Sequence, residues 1–158
     1  MMRLVGFLCA TLTLASCADS SQNGGATVAS LVSPTPTVGA QISPQRLPMT
    51  NAVTIGCPLV PITSFDLIVL PSQAARVSVE SVTIRLIDGT NLGGPMLTFS
   101  RPDLNRIFGS TLVVARRVFS FNAQFGCAPR FPRSLVVDVI VADDKGATQI
   151  LTAGASFQ

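Results

Sequence analysis

Arg117-Val118-Phe119-Ser120-Phe121-Asn122-Ala123-Gln124-Phe125 is the stretch that decides the fold. In an extended chain Phe119, Phe121, Ala123 and Phe125 fall on one side, and Ser120, Asn122 and Gln124 on the other. A period of two belongs to a strand with one buried face, because successive side chains point to opposite sides of a sheet. A helix would scatter the same four apolar residues around its circumference.

The alternation continues in both directions. Downstream, Leu135 to Val141 forms a second run with Asp138 on its outer face. Asp143-Asp144-Lys145-Gly146 reads as a hairpin turn, and Ala147 to Phe157 returns with Leu151, Ala153, Ala155 and Phe157 on one face. Upstream, Ser64 to Leu70 is an apolar run closed by Pro71. Val77 and Val79 alternate with polar neighbours, and Val82, Ile84 and Leu86 do so one place out of phase. A slip of that kind at Glu80-Ser81 marks a bulge or a boundary between strands. Asp88-Gly89-Thr90-Asn91 and Gly93-Gly94-Pro95 form a turn region, Met96 to Ser100 a short strand, and Pro102 to Gly109 a loop with room for one helical turn.

Residues 51–158 therefore predict an all-β domain of about seven strands, at a turn spacing that resembles an immunoglobulin-like or fibronectin-type β-sandwich. The resemblance is architectural and implies two stacked sheets with loops gathered at their ends. The chain has no Trp and no Tyr, so the buried Trp and the tyrosine corner of antibody domains have no counterpart, and its cysteines are placed differently. No antibody-type site carries over. The run Arg117 to Phe121 followed by Phe125-Gly126-Cys127 is also similar to segments of exported bacterial β-domains, a likeness that brings no function with it.

The N-terminus carries the strongest motif. Met1-Met2-Arg3 is a short positive segment, and Leu4 to Leu14 is an apolar run too short to span a bilayer. It ends in Leu14-Ala15-Ser16-Cys17, which resembles the lipobox of bacterial lipoproteins. The resemblance implies removal of residues 1–16, a diacylglyceryl group on the Cys17 thiol, and palmitate-like acylation of the new amine. Small residues at Ala15 and Ser16 give a peptidase access to the backbone, and several acyl chains hold a protein firmly at about 0.8 kcal/mol per buried methylene. Ordinary secretory cleavage after Ala18 is the alternative. Cys9 leaves with the leader. Ala18 stands where an Asp would signal inner-membrane retention, which favours the outer membrane. Residues 17–50 are rich in Ser, Thr, Gly and Pro and read as a disordered tether with a reach of about 30 Å, in which the cluster Ala26 to Val32 is able to add an edge strand.

Composition narrows the function. Charged residues make up 12% of the chain, against about 25% in a usual soluble domain. The absence of His removes the usual general base and the commonest metal ligand, so no metal or other cofactor is expected. The formal charge of +3 is too weak to imply a nucleic-acid partner. All but one of the basic residues are Arg, which reads first as codon bias and second as a phosphate-binding surface built from Arg101, Arg106, Arg116, Arg117, Arg130 and Arg133. Within that set, Arg130, Phe131 and Arg133 share a Pro-rich loop and are the candidate partner contact. Cys57 and Cys127 remain after export, and an even pair in an oxidising compartment reads as a disulfide.

Motifs for nucleophilic, nucleotide or redox chemistry are missing from the sequence. The carboxylates Asp66, Glu80, Asp88, Asp103, Asp138, Asp143 and Asp144 sit mostly at turns and on outer faces. Asp143-Asp144 offers too few ligands in reach for Ca²⁺, and a turn explains it better. The sequence points to a non-catalytic binding or structural module anchored to the cell envelope, touching the bilayer through Cys17 and another envelope component through its surface. The alternative is a small carboxylate-dependent hydrolase acting on envelope glycans, which needs two facing carboxylates. A carrier of a small apolar ligand between the sheets is disfavoured by the bulk of Phe119, Phe121, Phe125 and Phe157.

Overall fold

Fifteen consecutive residues, Cys57–Pro71, form one strand that organises the first of two sheets. The computed structural model describes residues 38–72, 75–89 and 93–158. In chain order its elements are β1 (Val38–Ser43), β2 (Arg46–Leu47), β3 (Met49–Thr54), β4 (Cys57–Pro71), β5 (Val77–Ile87), β6 (Gly93–Ser100), α1 (Arg101–Phe108), β7 (Leu112–Val113), β8 (Arg117–Gln124), β9 (Ser134–Asp143) and β10 (Thr148–Phe157). The leader, Cys17 and the Ala26 to Val32 cluster lie outside the described residues, as do Thr90 and Asn91 of the turn region.

In the first sheet β4 is flanked on one edge by β1 and β3 and on the other by β8, all antiparallel. The second sheet has the order β2-β10-β9-β5-β6, with β7 beside the start of β5. In the lettering of an immunoglobulin domain β4 and β8 stand as B and E, and β10, β9, β5 and β6 as G, F, C and C′. The domain is thus an immunoglobulin-like β-sandwich, with ten strands among the described residues rather than about seven. Two of the additional strands, β2 and β7, are only two residues long and leave no periodicity to read.

The sandwich begins earlier than the sequence suggests. Residues 38–50, expected to be tether, enter the sandwich as β1, β2 and the start of β3. Val38 and Ile42 bury their side chains while the backbone of β1 pairs with Asp66 to Pro71. Gly39, Gln41 and Ser43 give the segment a linker-like composition, yet the apolar alternation is present in every second place. After β1 the chain crosses to the other sheet, where β2 runs parallel to the end of β10.

Both sheets turn their alternating faces inward. The core joins Phe65, Leu67 and Val69 of β4 and Phe119, Phe121 and Ala123 of β8 to Val82, Ile84 and Leu86 of β5 and Leu135, Val137 and Val139 of β9. The phase slip near Glu80 is a bulge within one strand: the β5–β9 register shifts between Val79 and Ser81. Val79 and Val82 therefore both point into the core. At the start of β6, a Cβ on Gly94 would meet the Leu86 carbonyl oxygen at 2.6 Å, so only Gly fits that close backbone approach.

The segment expected to be a loop is the two-turn helix α1. Ser100 caps it, Pro102 occupies its first turn, and Gly109 ends it at φ 74° with its N–H bonded to the Asn105 carbonyl at 2.8 Å. Leu104 is fully buried, and the Phe108 ring meets Phe119 and Phe121 at centroid distances of 5.2 and 5.3 Å. Phe121 also contacts Phe65 and Phe99. The helix closes the side of the sandwich where a conventional D strand would continue the first sheet.

Leu104→Ala is expected to lower unfolding stability by about 2–5 kcal/mol, measured by urea denaturation. On the same helix, the Ser100 hydroxyl and backbone N–H donate to Asp103 Oδ2 at 2.5 and 3.1 Å, and Arg106 donates to Oδ1 at 2.9 Å. The Ser100 hydroxyl first, then its N–H, then the Arg106 charge hold the Asp103 carboxyl below the usual aspartate range. A depressed carboxyl stabilises the fold above its unfolded-state pKa and loses that contribution as pH falls through the folded one. Asp103→Asn should therefore destabilise at neutral pH, and its melting temperature should converge on the parent's as pH drops below the usual aspartate range.

Candidate functional site

The β3–β4 hairpin is built on the N-terminal part of the long strand. Met49 pairs with Thr63 and Thr54 with Cys57, with a register shift between Ala52 and Thr54. Gly56 turns the chain at φ 79°, a left-handed conformation that favours Gly. Asn51 pins the two arms together: its Oδ1 accepts from the Val60 N–H at 2.7 Å, and its Nδ2 donates to the Pro58 carbonyl at 3.1 Å.

The chain leaving β8 follows the other edge of the same strand. Phe125 N–H donates to the Pro61 carbonyl and Ala128 N–H to the Leu59 carbonyl, both at 2.9 Å. Cys127 lies between these residues and is disulfide-bonded to Cys57, with the two Cα atoms 5.5 Å apart. The disulfide is near the surface and locks the hairpin to the loop that leads into β9.

That loop carries the contact residues expected from the sequence. Arg130 is exposed, Phe131 is 67% exposed, and Pro132 between Phe131 and Arg133 is buried. Arg133 is exposed but more constrained. Its backbone N–H donates to the Ile87 carbonyl at 2.7 Å, and its side chain lies against Gly89 of the β5–β6 turn. Arg130 and Phe131 therefore project, while Arg133 braces the loop. The hairpin adds two exposed aliphatic residues that sequence reading missed, Val53 at 76% and fully exposed Ile55. Val53-Thr54-Ile55-Gly56 marks a glycine turn, but Ala52, Leu59 and Val60 lie close by in sequence, so nothing local distinguishes these two exposed aliphatics from buried ones.

The arginines that cluster in sequence do not cluster in space. Arg101 donates to Glu80 at 3.1 Å, and Arg106 is taken up by Asp103. Arg117 donates to the Leu112 and Phe108 carbonyls at 2.7 and 3.4 Å and lies 5.1 Å from the Phe119 ring centroid. It is a structural clamp. Arg117 begins β8 opposite the C-terminal end of β4, with Arg116 just before it, whereas Arg130 and Arg133 follow the disulfide near the N-terminal end of β4.

Several carboxylates are committed locally. Asp66 accepts from the Ser120 hydroxyl at 2.6 Å, and Asp138 from Arg85 and the Thr152 hydroxyl. Asp143 accepts from the N–H groups of Lys145 and Ala147 at 2.9 and 2.8 Å, which closes the β9–β10 turn. A groove of about 230 Å³ runs past Ser43, Pro44, Ser64, Phe65, Asp66 and Ser120 and holds one carboxylate, Asp66. Among the described residues no group of three or more His, Cys, Asp or Glu side chains is placed to hold a metal ion, and no helix is long and apolar enough to cross a membrane.

No protein-family model matches the chain, and no curated protein does. Solved structures with some likeness include a structural-genomics target designated SoR45, 5% identical, with a TM-score of 0.47 over 75% of this chain and 84% of that one. An alkylpurine DNA glycosylase of Pseudomonas fluorescens is 14% identical, with a TM-score of 0.37 over 78% of this chain and 31% of the enzyme. The CARDB domain of a Pyrococcus furiosus protein, solved with di-metal ions, is 15% identical, with a TM-score of 0.33 over 77% of this chain and 93% of that domain. These similarities are too low to transfer a function.

Replacing Cys57 and Cys127 together by Ala opens a closed loop spanning a separation of 70 residues. The double variant is expected to lose about 2–5 kcal/mol of stability in urea denaturation. Hydrogen exchange should show the largest loss of protection in Asn51 to Val60 and Phe125 to Ala128.

Proposed function

We propose that this protein is an envelope lipoprotein whose sandwich acts as a non-catalytic binding module, held to a membrane through acylated Cys17 and meeting its partner through the hairpin end. The observation that carries the reading is the separation of the two ends. Val38, where the tether would join, pairs with Pro71 at one end of β4, and the exposed hairpin turn joins the other end at Cys57. Fifteen residues of strand span roughly 45–50 Å. A tethered domain of this shape is able to present Val53, Ile55, Arg130 and Phe131 well away from its anchor.

The hairpin end has the composition of a contact surface. Val53, Ile55 and Phe131 offer apolar area, and Arg130 adds a cation suited to carboxylate or phosphate. The disulfide and the Asn51 bonds hold this end in place before any partner arrives, which lowers the ordering cost of association. The partner this chemistry suits is an envelope protein or component with an apolar patch beside a negative charge. Export to the outer membrane follows from the lipobox and Ala18. The glycan-hydrolase reading gains no support from Asp66, Glu80, Asp103, Asp138 and Asp143, which are committed to a turn, a helix cap and bonds to neighbouring side chains.

Two measurements test the proposal. In a bacterial host fed an alkynyl palmitate analogue, the full chain should incorporate label and sediment with membranes, and Cys17→Ser should do neither. Equal labelling of the variant would reject the anchor. A photo-crosslinking residue at Phe131 should give a discrete adduct in cells that Arg130→Glu weakens, whereas the same probe at Thr98, on the outer face of β6, should not.

A further inference from the structure

We infer that the opposite end of the sandwich is a second, direct membrane contact, a patch built to rest on an anionic lipid surface. This deepens the lipoprotein reading and rests on it for orientation, although the patch itself belongs to the folded domain. Residues from six strands converge there. Val77 at the start of β5 pairs with Val113 of β7 and with Asp143 of β9, and Arg117 and Val118 pair with Val69 and Ile68 near the end of β4. Val38 pairs with Pro71 at the same end.

Two features single out this end. Its surface is apolar where a solvated loop would be polar: Val114 is 56% exposed, Ile107 51%, and Leu112 and Val118 both 39%. A shallow groove of about 230 Å³ runs along Leu112 to Arg117. Its cations stand beside those aliphatics. Arg117 bonds the Leu112 and Phe108 carbonyls and so fixes the loop, leaving Arg116 exposed next to it and Arg76 exposed just before β5. The opposing charges at this end are Asp143, bound to the N–H groups of its own turn, and exposed Asp144, which is offset by exposed Lys145.

Aliphatic side chains flanked by Arg match the boundary of an anionic bilayer, where the apolar groups enter the headgroup layer and the guanidinium groups stay at the phosphates. The point where the tether joins selects this occupant. Only 20 residues separate Cys17 from Val38, so an anchor at Cys17 would hold this end of the sandwich within reach of the lipid. Confinement of that kind turns a weak surface affinity into a persistent contact. The patch would then orient the domain, with the hairpin end pointing away from the membrane.

The test uses the chain from Cys17 onward carrying Cys17→Ser, so that no acyl chain contributes. It is sedimented with large vesicles of phosphatidylglycerol and phosphatidylcholine, or of phosphatidylcholine alone. Binding is expected only to the anionic vesicles and should weaken with added salt. Each basic side chain near such a surface is worth roughly fivefold in binding, so Val114→Asp with Arg116→Glu should reduce partitioning at least about fivefold. Arg76→Glu, on a different segment, should reduce it independently, and Val53→Asp with Ile55→Asp should leave it unchanged. Equal binding to both vesicle types, no binding to either, or loss of binding in the hairpin variant alone would overturn the proposal. Palmitate labelling reports the anchor separately, so failure of the patch and failure of the anchor are distinguishable.

Discussion

The unbroken run of β4 is the constraint from which the rest of the molecule follows. Its C-terminal part takes β1 on one edge, its N-terminal part takes β3, and β8 covers the opposite edge from Ile62 to Val69. A strand of this length outruns the sandwich core, so the part near Cys57 must be stabilised by other means. The means are the Asn51 bonds, the return of the chain at Phe125 and Ala128, and the disulfide. The same length separates the end where β1 enters from the hairpin turn. The distance between the two proposed contact surfaces is therefore a property of one strand's length and not of a flexible arrangement.

Closing the side of the sandwich is the second requirement. With β8 at the margin of the first sheet and β6 at the margin of the second, the aromatic face of β8 would be open to solvent. Helix α1 fills that opening with Leu104 and Phe108, and Phe121 packs against Phe65, Phe99 and Phe108, so three elements meet on one ring. Arg117 then secures the far end of the helix by bonding the Phe108 carbonyl. The local signals and the global need agree here, as they do in sequences that specify one structure.

How much of this was legible depended on whether the signal was local. Strands β5, β8, β9 and β10 show in their alternation because each buries one face, and even the bulge in β5 shows as a change of phase. Strand β1 was hidden by its Gly, Gln and Ser, although Val38, Ala40 and Ile42 carry the same period. Helix α1 was hidden because a two-turn helix with one fully buried residue has little amphipathic pattern. The spacing Ser100 to Asp103 around Pro102 is the capping pattern that would have revealed it. Of the candidate contact, Arg130 and Phe131 were readable as an exposed cation and aromatic in a Pro-rich loop. Val53 and Ile55 were not, because their exposure follows from how far β4 extends past the core. The separation of the arginines into two ends is likewise a matter of strand pairing, which no single segment encodes.

The two proposed contacts require one orientation, with one end of β4 toward lipid and the other away from it. Spin labels placed singly at Val114 and at Ile55 of the acylated protein in anionic bilayers, read by power saturation against oxygen and a water-soluble relaxant, measure that orientation directly. Val114 should lie at headgroup depth with high oxygen accessibility, and Ile55 in water. Equal aqueous exposure of both labels, or Ile55 in the lipid, would contradict this orientation.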